Sequence, residues 1–139
     1  MQLLVQSGDL GPKWFHVAVR AIVILAQSDS IVKSNQIAET LGEDATSVRK
    51  ILAQLTKTRI VQATGGRYGG YSLQISPDKI TVKDIYTAMG EEPEVPYWSV
   101  PQTGTEMFIS LIVTKAEEQF KAILNNYTIT DILNNKTTK

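Results

Sequence analysis

The sequence contains no cysteine and only one histidine, His16. Without thiols the chain can form no disulfide, no thiolate zinc site and no thiol redox switch, and it has no cysteine nucleophile. A lone histidine on a mostly apolar segment is more often a packed residue than a metal ligand. The carboxylates are scattered and form no set of nucleophile, base and orienting group. We therefore predict neither an enzyme nor a metal or cofactor site.

Long apolar runs are also missing. The most apolar segment, residues 14–26, is interrupted by His16 and Arg20 and is shorter than the roughly 20 residues that a membrane-spanning helix needs. We therefore predict a core helix in this segment and no membrane partner. The first residues show no basic run of the kind that opens a secretory signal, so we expect a cytoplasmic protein.

Net charge is absent as well, because 14 Lys and Arg balance 14 Asp and Glu. The charges are unevenly distributed: residues 1–75 carry eight basic against five acidic residues, whereas residues 76–139 carry six against nine. A surplus of three positive charges in the first part is modest for a nucleic-acid-binding surface. Few phosphate contacts per subunit are then expected, and useful affinity would require two subunits.

Residues 36–55 have the pattern of a helix-turn-helix. Ala38 is small enough to let a second helix cross closely, and Gly42 permits a tight turn four residues later. Asp44 is placed to cap the next helix, in which apolar residues recur at spacings of three and four. We predict two crossing helices, the second of which buries Val48, Ile51, Leu52 and Leu55.

The second of these helices leaves polar and basic side chains facing outward. In a helix-turn-helix this helix enters the major groove of DNA, where arginine can bond a guanine edge through two hydrogen bonds. Arg49 is the leading candidate for a base contact, with Ser47 and Lys50 beside it. A solvated face in an ordinary helix pair is the alternative interpretation of the same residues.

A glycine-rich hairpin follows and favours the DNA interpretation. Residues 60–64 and 71–75 alternate like strands, and residues 65–70 between them have the composition of a turn. We predict a wing whose tip residues, Arg67 and Tyr68, contact phosphates or the neighbouring minor groove. A nucleotide-phosphate loop is disfavoured, because no Gly-Lys-Ser/Thr ending follows and strands flank the glycines.

The remaining segments complete a small domain and connect it to an assembly element. A helix from about Lys13 to Gln27 precedes the motif, and a short helix over residues 81–89 is expected to complete the core. Residues 91–104 contain three prolines and are expected to form an irregular crossing. Tyr97 and Trp98 in this crossing either line a ligand pocket or simply cover the core.

A second long helix is predicted from Thr105. Its apolar stripe extends over about five turns, which is more than a small winged domain can cover, so an identical subunit is expected to pack against it. The stripe consists of Ile109, Ile112, Val113, Ala116, Phe120, Ile123 and Tyr127. Residues 130–133 are expected to form a short closing helix, and residues 134–139 a fraying polar tail.

The predicted fold class is mainly α with a small β hairpin. A winged helix-turn-helix domain is expected over residues 1–90, followed by a linker at residues 91–104. Residues 105–139 are expected to supply the long C-terminal dimerisation helix and the closing helix.

These features resemble the Rrf-two family of bacterial winged-helix transcription regulators. Its members include repressors of iron–sulfur cluster assembly, nitric-oxide responses and cysteine metabolism. Residues 15–26 resemble the opening helix of the family, and residues 37–42 resemble its first helix-turn-helix segment. The most specific matches are residues 69–73, which end the wing, and residues 80–85 after it. The resemblance covers nearly all of the chain and implies a DNA-binding regulator.

The sequence departs from that family at three places. Gly65 and Gly66 stand where many relatives carry Arg-Gly, so the wing arginine comes later, at Arg67. Arg49 stands where cluster-assembly relatives often carry glutamate, which predicts a preference for guanine and a different operator. Cluster-binding relatives supply cysteines from the segment matching residues 91–104, which has none, so no iron–sulfur cluster is expected.

The sequence thus predicts a homodimeric transcriptional regulator, a repressor, that reads a near-palindromic operator in double-stranded DNA. Sensing of a small ligand near Tyr97 and Trp98 and a winged-helix module that binds another protein are the alternatives, and the effector is unassigned. Bases are expected to face Ser47, Arg49 and Lys50. The DNA backbone or the wing groove is expected to face Lys33, Ser34, Thr46, Arg67 and Tyr68.

Overall fold

A computed structural model describes residues 11–90 and 104–138 of the chain. The described residues form six α-helices, one antiparallel hairpin and a turn of 3-10 helix, which confirms the predicted fold class. The helices are α1 (Gly11–Ala26), α2 (Ser34–Leu41), α3 (Ala45–Lys57), α4 (Val82–Met89), α5 (Gly104–Leu124) and α6 (Ile129–Thr138). The strands are β1 (Val61–Thr64) and β2 (Gly70–Leu73), and Pro77–Lys79 form the 3-10 turn.

The turn of the helix-turn-helix lies where the sequence indicates, and the two helices extend two residues beyond the predicted 36–55 at each end. Gly42 adopts a left-handed conformation with φ of 70°, which ends α2. The carboxylate of Asp44 accepts hydrogen bonds from the backbone N–H of Ser47 at 3.0 Å and from the Ser47 hydroxyl at 3.2 Å. Because this cap fixes where α3 begins, it also fixes which side chains occupy the first exposed turn of that helix.

The hydrophobic core lies between α1, the helix-turn-helix and α4. The four apolar residues predicted on the inner side of α3 are all buried. From α1, Ile22 is fully buried, and Ile85 of α4 is fully buried in the same cluster. Since burial of one such side chain contributes roughly 1.5–3 kcal/mol, this cluster holds the helix-turn-helix rigidly in place.

Helix α6 adds to the same core, so the expectation that the core is complete at Met89 is wrong. Ile129 is fully buried, and Ile132 and Leu133 pack against the cluster. The apolar pattern of residues 129–133 is too short to show which surface it covers, since the nearest core residues before it in sequence belong to α4.

The predicted fraying tail is also corrected, because α6 continues to Thr138. A reciprocal cap stabilises the start of this helix. The backbone N–H of Thr128 donates to the Asp131 carboxylate at 2.9 Å, and the backbone N–H of Asp131 donates to the Thr128 hydroxyl at 3.1 Å. Once nucleated by this cap and by the buried Ile129, the helix extends through the polar residues that follow.

Helix α5 begins at Gly104, one residue before the predicted start. It contacts the core through an aromatic series: the Phe120 ring lies 5.0 Å from the Tyr86 ring in an edge-to-face arrangement. Tyr86 in turn lies 5.4 Å from Phe15 of α1. The predicted stripe extends one turn too far, because α5 ends at Leu124 and Tyr127 lies in the turn before α6.

The predicted crossing with Tyr97 and Trp98 falls outside the described residues, apart from Gly104. Within the described ranges, none of the helices combines the length and apolar character that crossing a lipid bilayer would require.

The chain just after α3 contains a residue in a strained conformation. Arg59 has φ of 69°, and it alone among the described non-glycine residues has a positive φ. The backbone N–H of Ile60 donates to the Leu55 carbonyl at 3.0 Å, which closes the helix in the manner that usually employs glycine.

Replacement of Arg59 by glycine is therefore expected to raise the free energy of unfolding by about 0.5–1 kcal/mol, since it removes the left-handed strain. Urea denaturation measures this change. Lys57→Gly places the same residue type inside the last turn of α3 and should instead lower stability by about 1 kcal/mol. A loss of stability in both variants would contradict the assignment of strain to Arg59.

Candidate nucleic-acid interface

The first turns of α3 carry the predicted base-contacting residues on the solvent side. Thr46, Arg49 and Lys50 are exposed, whereas the intervening Val48 is fully buried. The Arg49 guanidinium donates from Nη2 to the Thr46 hydroxyl at 3.3 Å. This single bond leaves the other guanidinium N–H groups able to meet an acceptor pair on a base edge.

Ser47 differs from its neighbours because it already has a partner within the protein. Its side chain is half-buried, and its hydroxyl donates to the Asp44 carboxylate. The hydroxyl oxygen retains acceptor capacity, so Ser47 can still meet a donor. In the structure, Ser47 takes part in the cap at the start of α3.

The hairpin predicted to be a wing is present. Strands β1 and β2 pair antiparallel, from Val61 opposite Leu73 to Thr64 opposite Gly70. The turn between them includes Gly66 with φ of 90° and a hydrogen bond of 3.1 Å from the Gly69 N–H to the Gly66 carbonyl. Strand β1 begins one residue later than the sequence predicts, whereas β2 begins one residue earlier and ends two residues earlier than predicted.

The tip of the wing is exposed and combines a cation with an aromatic ring. Tyr68 is 84% exposed, the largest exposure among the described large hydrophobic residues. The Arg67 guanidinium carbon lies 5.9 Å from the centroid of the Tyr68 ring, within the range of a cation–π contact. Such a tip can offer charge to a phosphate and a flat apolar surface to a groove.

The wing is joined to the segment that precedes α2, a pairing that sequence reasoning missed. Val32 and Tyr71 exchange two backbone hydrogen bonds, of 2.9 Å and 2.8 Å. The Lys33 ammonium donates to the Arg67 carbonyl at 2.9 Å. The only available signal was the β-branched pair Ile31 and Val32 between a polar turn and α2. Ser34, the first residue of α2, is half-buried beside this junction.

The glycine pair at the end of the wing is explained by close backbone approach. A Cβ atom on Gly69 would overlap the Thr64 carbonyl oxygen across the hairpin. A Cβ atom on Gly70 would overlap the Ile31 side chain and lie 2.7 Å from the Val32 carbonyl oxygen. Both positions therefore require the absence of a side chain, and the second requires it because the hairpin packs against the Ile31–Val32 segment.

Gly70→Ala is accordingly expected to lower the free energy of unfolding by about 1–3 kcal/mol, because the hairpin must move away from Val32. Gly65→Ala is the matched control, since a Cβ atom there meets nothing within 4 Å. Its stability should be unchanged or slightly higher. Urea denaturation of both variants measures the difference, and equal effects would contradict the packing argument.

Helix α5 presents a large apolar surface to solvent. Of the predicted stripe, Ile109, Ile112 and Ile123 are each at least half exposed, whereas Phe120 packs against Tyr86. Val113 is half-buried and Ala116 is exposed. The sequence reading missed three further exposed apolar residues of this helix, at 64%, 57% and 54%: Phe108, Leu111 and Met107.

Metal-ligating side chains do not converge in the part of the chain that the structure describes. No group of three or more His, Cys, Asp or Glu side chains within those residues could hold a metal ion. His16 is exposed on α1 instead of packed, because the inner side of that turn is occupied by its neighbours Phe15 and Val17.

A capped helix-turn-helix with a hairpin fastened beside it defines a winged helix-turn-helix protein. The comparisons with known proteins agree. The model of the Rrf2 (Rrf-two) family, described as an iron-dependent transcriptional regulator, matches residues 13–135. The chain belongs to this family, and it is a winged-helix transcriptional regulator of the DNA-binding type.

Individual relatives have similar descriptions. The Synechocystis sp. protein slr0846, a candidate HTH-type transcriptional regulator, is 32% identical over 123 residues, which cover 84% of this chain and 82% of that protein. A candidate HTH-type regulator of Aquifex aeolicus is 35% identical over 75 residues, and the match spans about half of each protein, 53% and 52%.

A solved structure shares the fold. The structure of IscR from T. potens has a TM-score of 0.71 at 24% identity, covering 95% of this chain and 90% of that one. At this identity the likeness concerns the fold alone.

The family description mentions iron, but the donors of this chain do not fit an iron–sulfur cluster. Such clusters are held by cysteine thiolates, and this sequence has none. The described carboxylates and the exposed His16 do not gather into a site either.

Proposed function

We propose that this protein is a sequence-specific transcriptional repressor that acts as a homodimer on a near-palindromic operator, without an iron–sulfur cluster. The observation that carries the proposal is the exposed set Thr46, Arg49 and Lys50 on the first turns of a capped helix whose other side is buried. This is the part of a helix-turn-helix that meets base edges in the major groove. Arg49 would meet guanine through two hydrogen bonds.

The dimer is supported by the apolar surface of α5. Ile109 and Ile112 lie three residues apart and are 50% and 51% exposed, and Ile123 is 57% exposed further along the helix. Exposed apolar residues at helical spacing favour burial against another helix, and a second copy is the commonest partner. Two copies related by a twofold axis would present two α3 helices about 34 Å apart, one turn of DNA.

A dimer would also compensate for the weak positive charge of the candidate DNA-binding surface. The described interface residues that carry positive charge are Lys33, Arg49, Lys50 and Arg67, and the Lys33 ammonium already has a partner in the wing. With so few cations per subunit, the affinity for phosphate-rich DNA is expected to depend on two subunits binding together.

Selection of bound duplexes from a random pool tests this function most directly. The proposal expects a recovered site with two inverted half-sites whose centres lie about 10 base pairs apart. The logarithm of the affinity should fall linearly with the logarithm of the salt concentration. Transcription from a promoter that overlaps the recovered site should fall when the protein is added. A flat salt dependence, with a protein partner captured regardless of DNA, would instead favour a protein-interaction module.

A further inference from the structure

The wing of this protein is fastened to the chain segment before α2 at two levels. At its base, Val32 and Tyr71 exchange backbone hydrogen bonds of 2.9 Å and 2.8 Å. At its tip, the Lys33 ammonium donates to the carbonyl oxygen of Arg67 at 2.9 Å, across 34 residues of sequence. The backbone pairing of Val32 with Tyr71 brings Lys33 next to the hairpin. The Lys33 side chain therefore needs only to extend along the turn to reach the tip.

The chemistry of this bond differs from that of a phosphate contact. An ammonium has three N–H donors, and one of those of Lys33 is committed to a neutral carbonyl within the protein. The bond lies at the surface, where water competes for it, so alone it would hold a free loop weakly. Here the loop is not free, because Gly70 packs directly against Ile31 and Val32.

The bond acts on the residue that carries the wing cation. Because the Arg67 carbonyl is held, the peptide plane between Arg67 and Tyr68 is fixed, and both tip side chains leave the backbone from a set position. The guanidinium of Arg67 then lies over the ring of its neighbour at 5.9 Å from the centroid. A wing tip with a fixed conformation can distinguish DNA grooves of different shape. A mobile tip can still attract phosphates through its charge, but it does not select a groove shape.

We propose that Lys33 is a positioning residue that aims the wing tip, so that its contribution to operator choice acts through Arg67. This inference rests on the proposed DNA-binding function. It assigns to Lys33 a role inside the protein in place of the independent phosphate contact that the sequence suggested.

The first test needs no DNA. Amide hydrogen exchange at Gly69 and Tyr71, whose N–H groups are bonded to the Gly66 and Val32 carbonyls, reports how firmly the wing is held. Lys33→Met removes the donor and is expected to speed exchange at these amides about 3- to 10-fold, while the α3 amides stay unchanged. Lys33→Arg keeps a donor and should restore most of the protection. Lys79→Met is the control, since it removes the same charge from an exposed lysine of the 3-10 turn.

The second test is a double-mutant cycle on the selected operator with Lys33→Met and Arg67→Ala. If Lys33 acts through Arg67, the loss of operator affinity caused by Arg67→Ala should be at least 3-fold smaller in the Lys33→Met background than in the unchanged protein. Full additivity of the two changes would overturn the proposal, because two independent phosphate contacts behave in that way.

The remaining outcomes separate this inference from the proposed function. Unchanged exchange in Lys33→Met would show that the wing does not depend on Lys33, whatever the protein binds. A second outcome is faster exchange in Lys33→Met while Lys33→Met and Arg67→Ala both bind the recovered operator as tightly as the unchanged protein. This result would overturn the role of Lys33 in operator recognition and would leave the recognition of bases to α3. Failure to recover any operator from the random pool would count against the DNA-binding function itself, while the exchange results would still stand.

Discussion

Replacement of Arg49 by alanine is expected to remove most of the preference of the protein for its operator over random DNA. A bidentate arginine contact with guanine contributes about 1–3 kcal/mol of discrimination, and a dimer makes the contact twice. The combined loss is therefore about 2 kcal/mol or more, which corresponds to a fall of roughly 30-fold or more in the ratio of specific to nonspecific affinity. Titration of both duplexes at one fixed salt concentration measures this ratio.

Arg49→Lys is the matched control, because it retains the positive charge and loses the planar pair of donors. It should bind random DNA as tightly as the unchanged protein and still lose most of the preference. Thr46 is exposed beside Arg49, and neither variant alters it, so we expect the rest of the helix surface to be preserved. An unchanged affinity ratio in Arg49→Ala would refute the base-reading role of this residue.

Introduction of a carboxylate on α5 should have the second large effect. Ile112 is 51% exposed in the single chain, so Ile112→Asp is expected to leave the subunit folded. In a dimer that buries this face, each copy would carry an unpaired carboxylate, at a cost of at least about 1 kcal/mol and more where the charge is fully buried. The two copies together should weaken dimerisation roughly 30-fold or more. Native mass measurement over a concentration series would show the monomer, and operator affinity should fall with it.

Thr114→Asp provides the control for that experiment. It adds the same charge two residues further along α5, hence about 200° around the helix from Ile112. Circular dichroism should show equal helix content in both variants. A dimer that is equally stable in the two variants would exclude the face around Ile112 as the interface between subunits.

The parts of the fold that the sequence predicted well are those with local signals. Gly42 and Asp44 end one helix and begin the next through bonds that involve only their near neighbours, so their residue types suffice to place the boundary. The buried side of α3 follows from apolar spacing within four turns. The glycines and the strand-like alternation placed the hairpin to within two residues.

The parts that were missed depend on contacts between distant segments. The pairing of Val32 with Tyr71 and the bond from Lys33 to the wing join distant residues, and the types of these residues do not indicate their partners. Ile129 has the same character, since nothing near it in sequence shows that it fills the core between α1 and the 3-10 turn. For the candidate site, residue type and helix position predicted which side chains are exposed, whereas the internal partners of Ser47 and Lys33 required the folded geometry.

Ile129 lies near the end of the chain, so it is among the last core residues to be synthesised. Among the residues that the structure describes, 14–90 supply every other fully buried member of the core, and Ile129 completes the cluster. Because synthesis proceeds in sequence order, we expect the first four helices to finish packing only after α5 and the start of α6 have been made. The backbone N–H of Ile129 donates to the Ile80 carbonyl at 2.9 Å, and closing the long stretch of chain between these residues has an entropic cost. We therefore expect the helix-turn-helix to reach its full stability only when Ile129 has packed into the core.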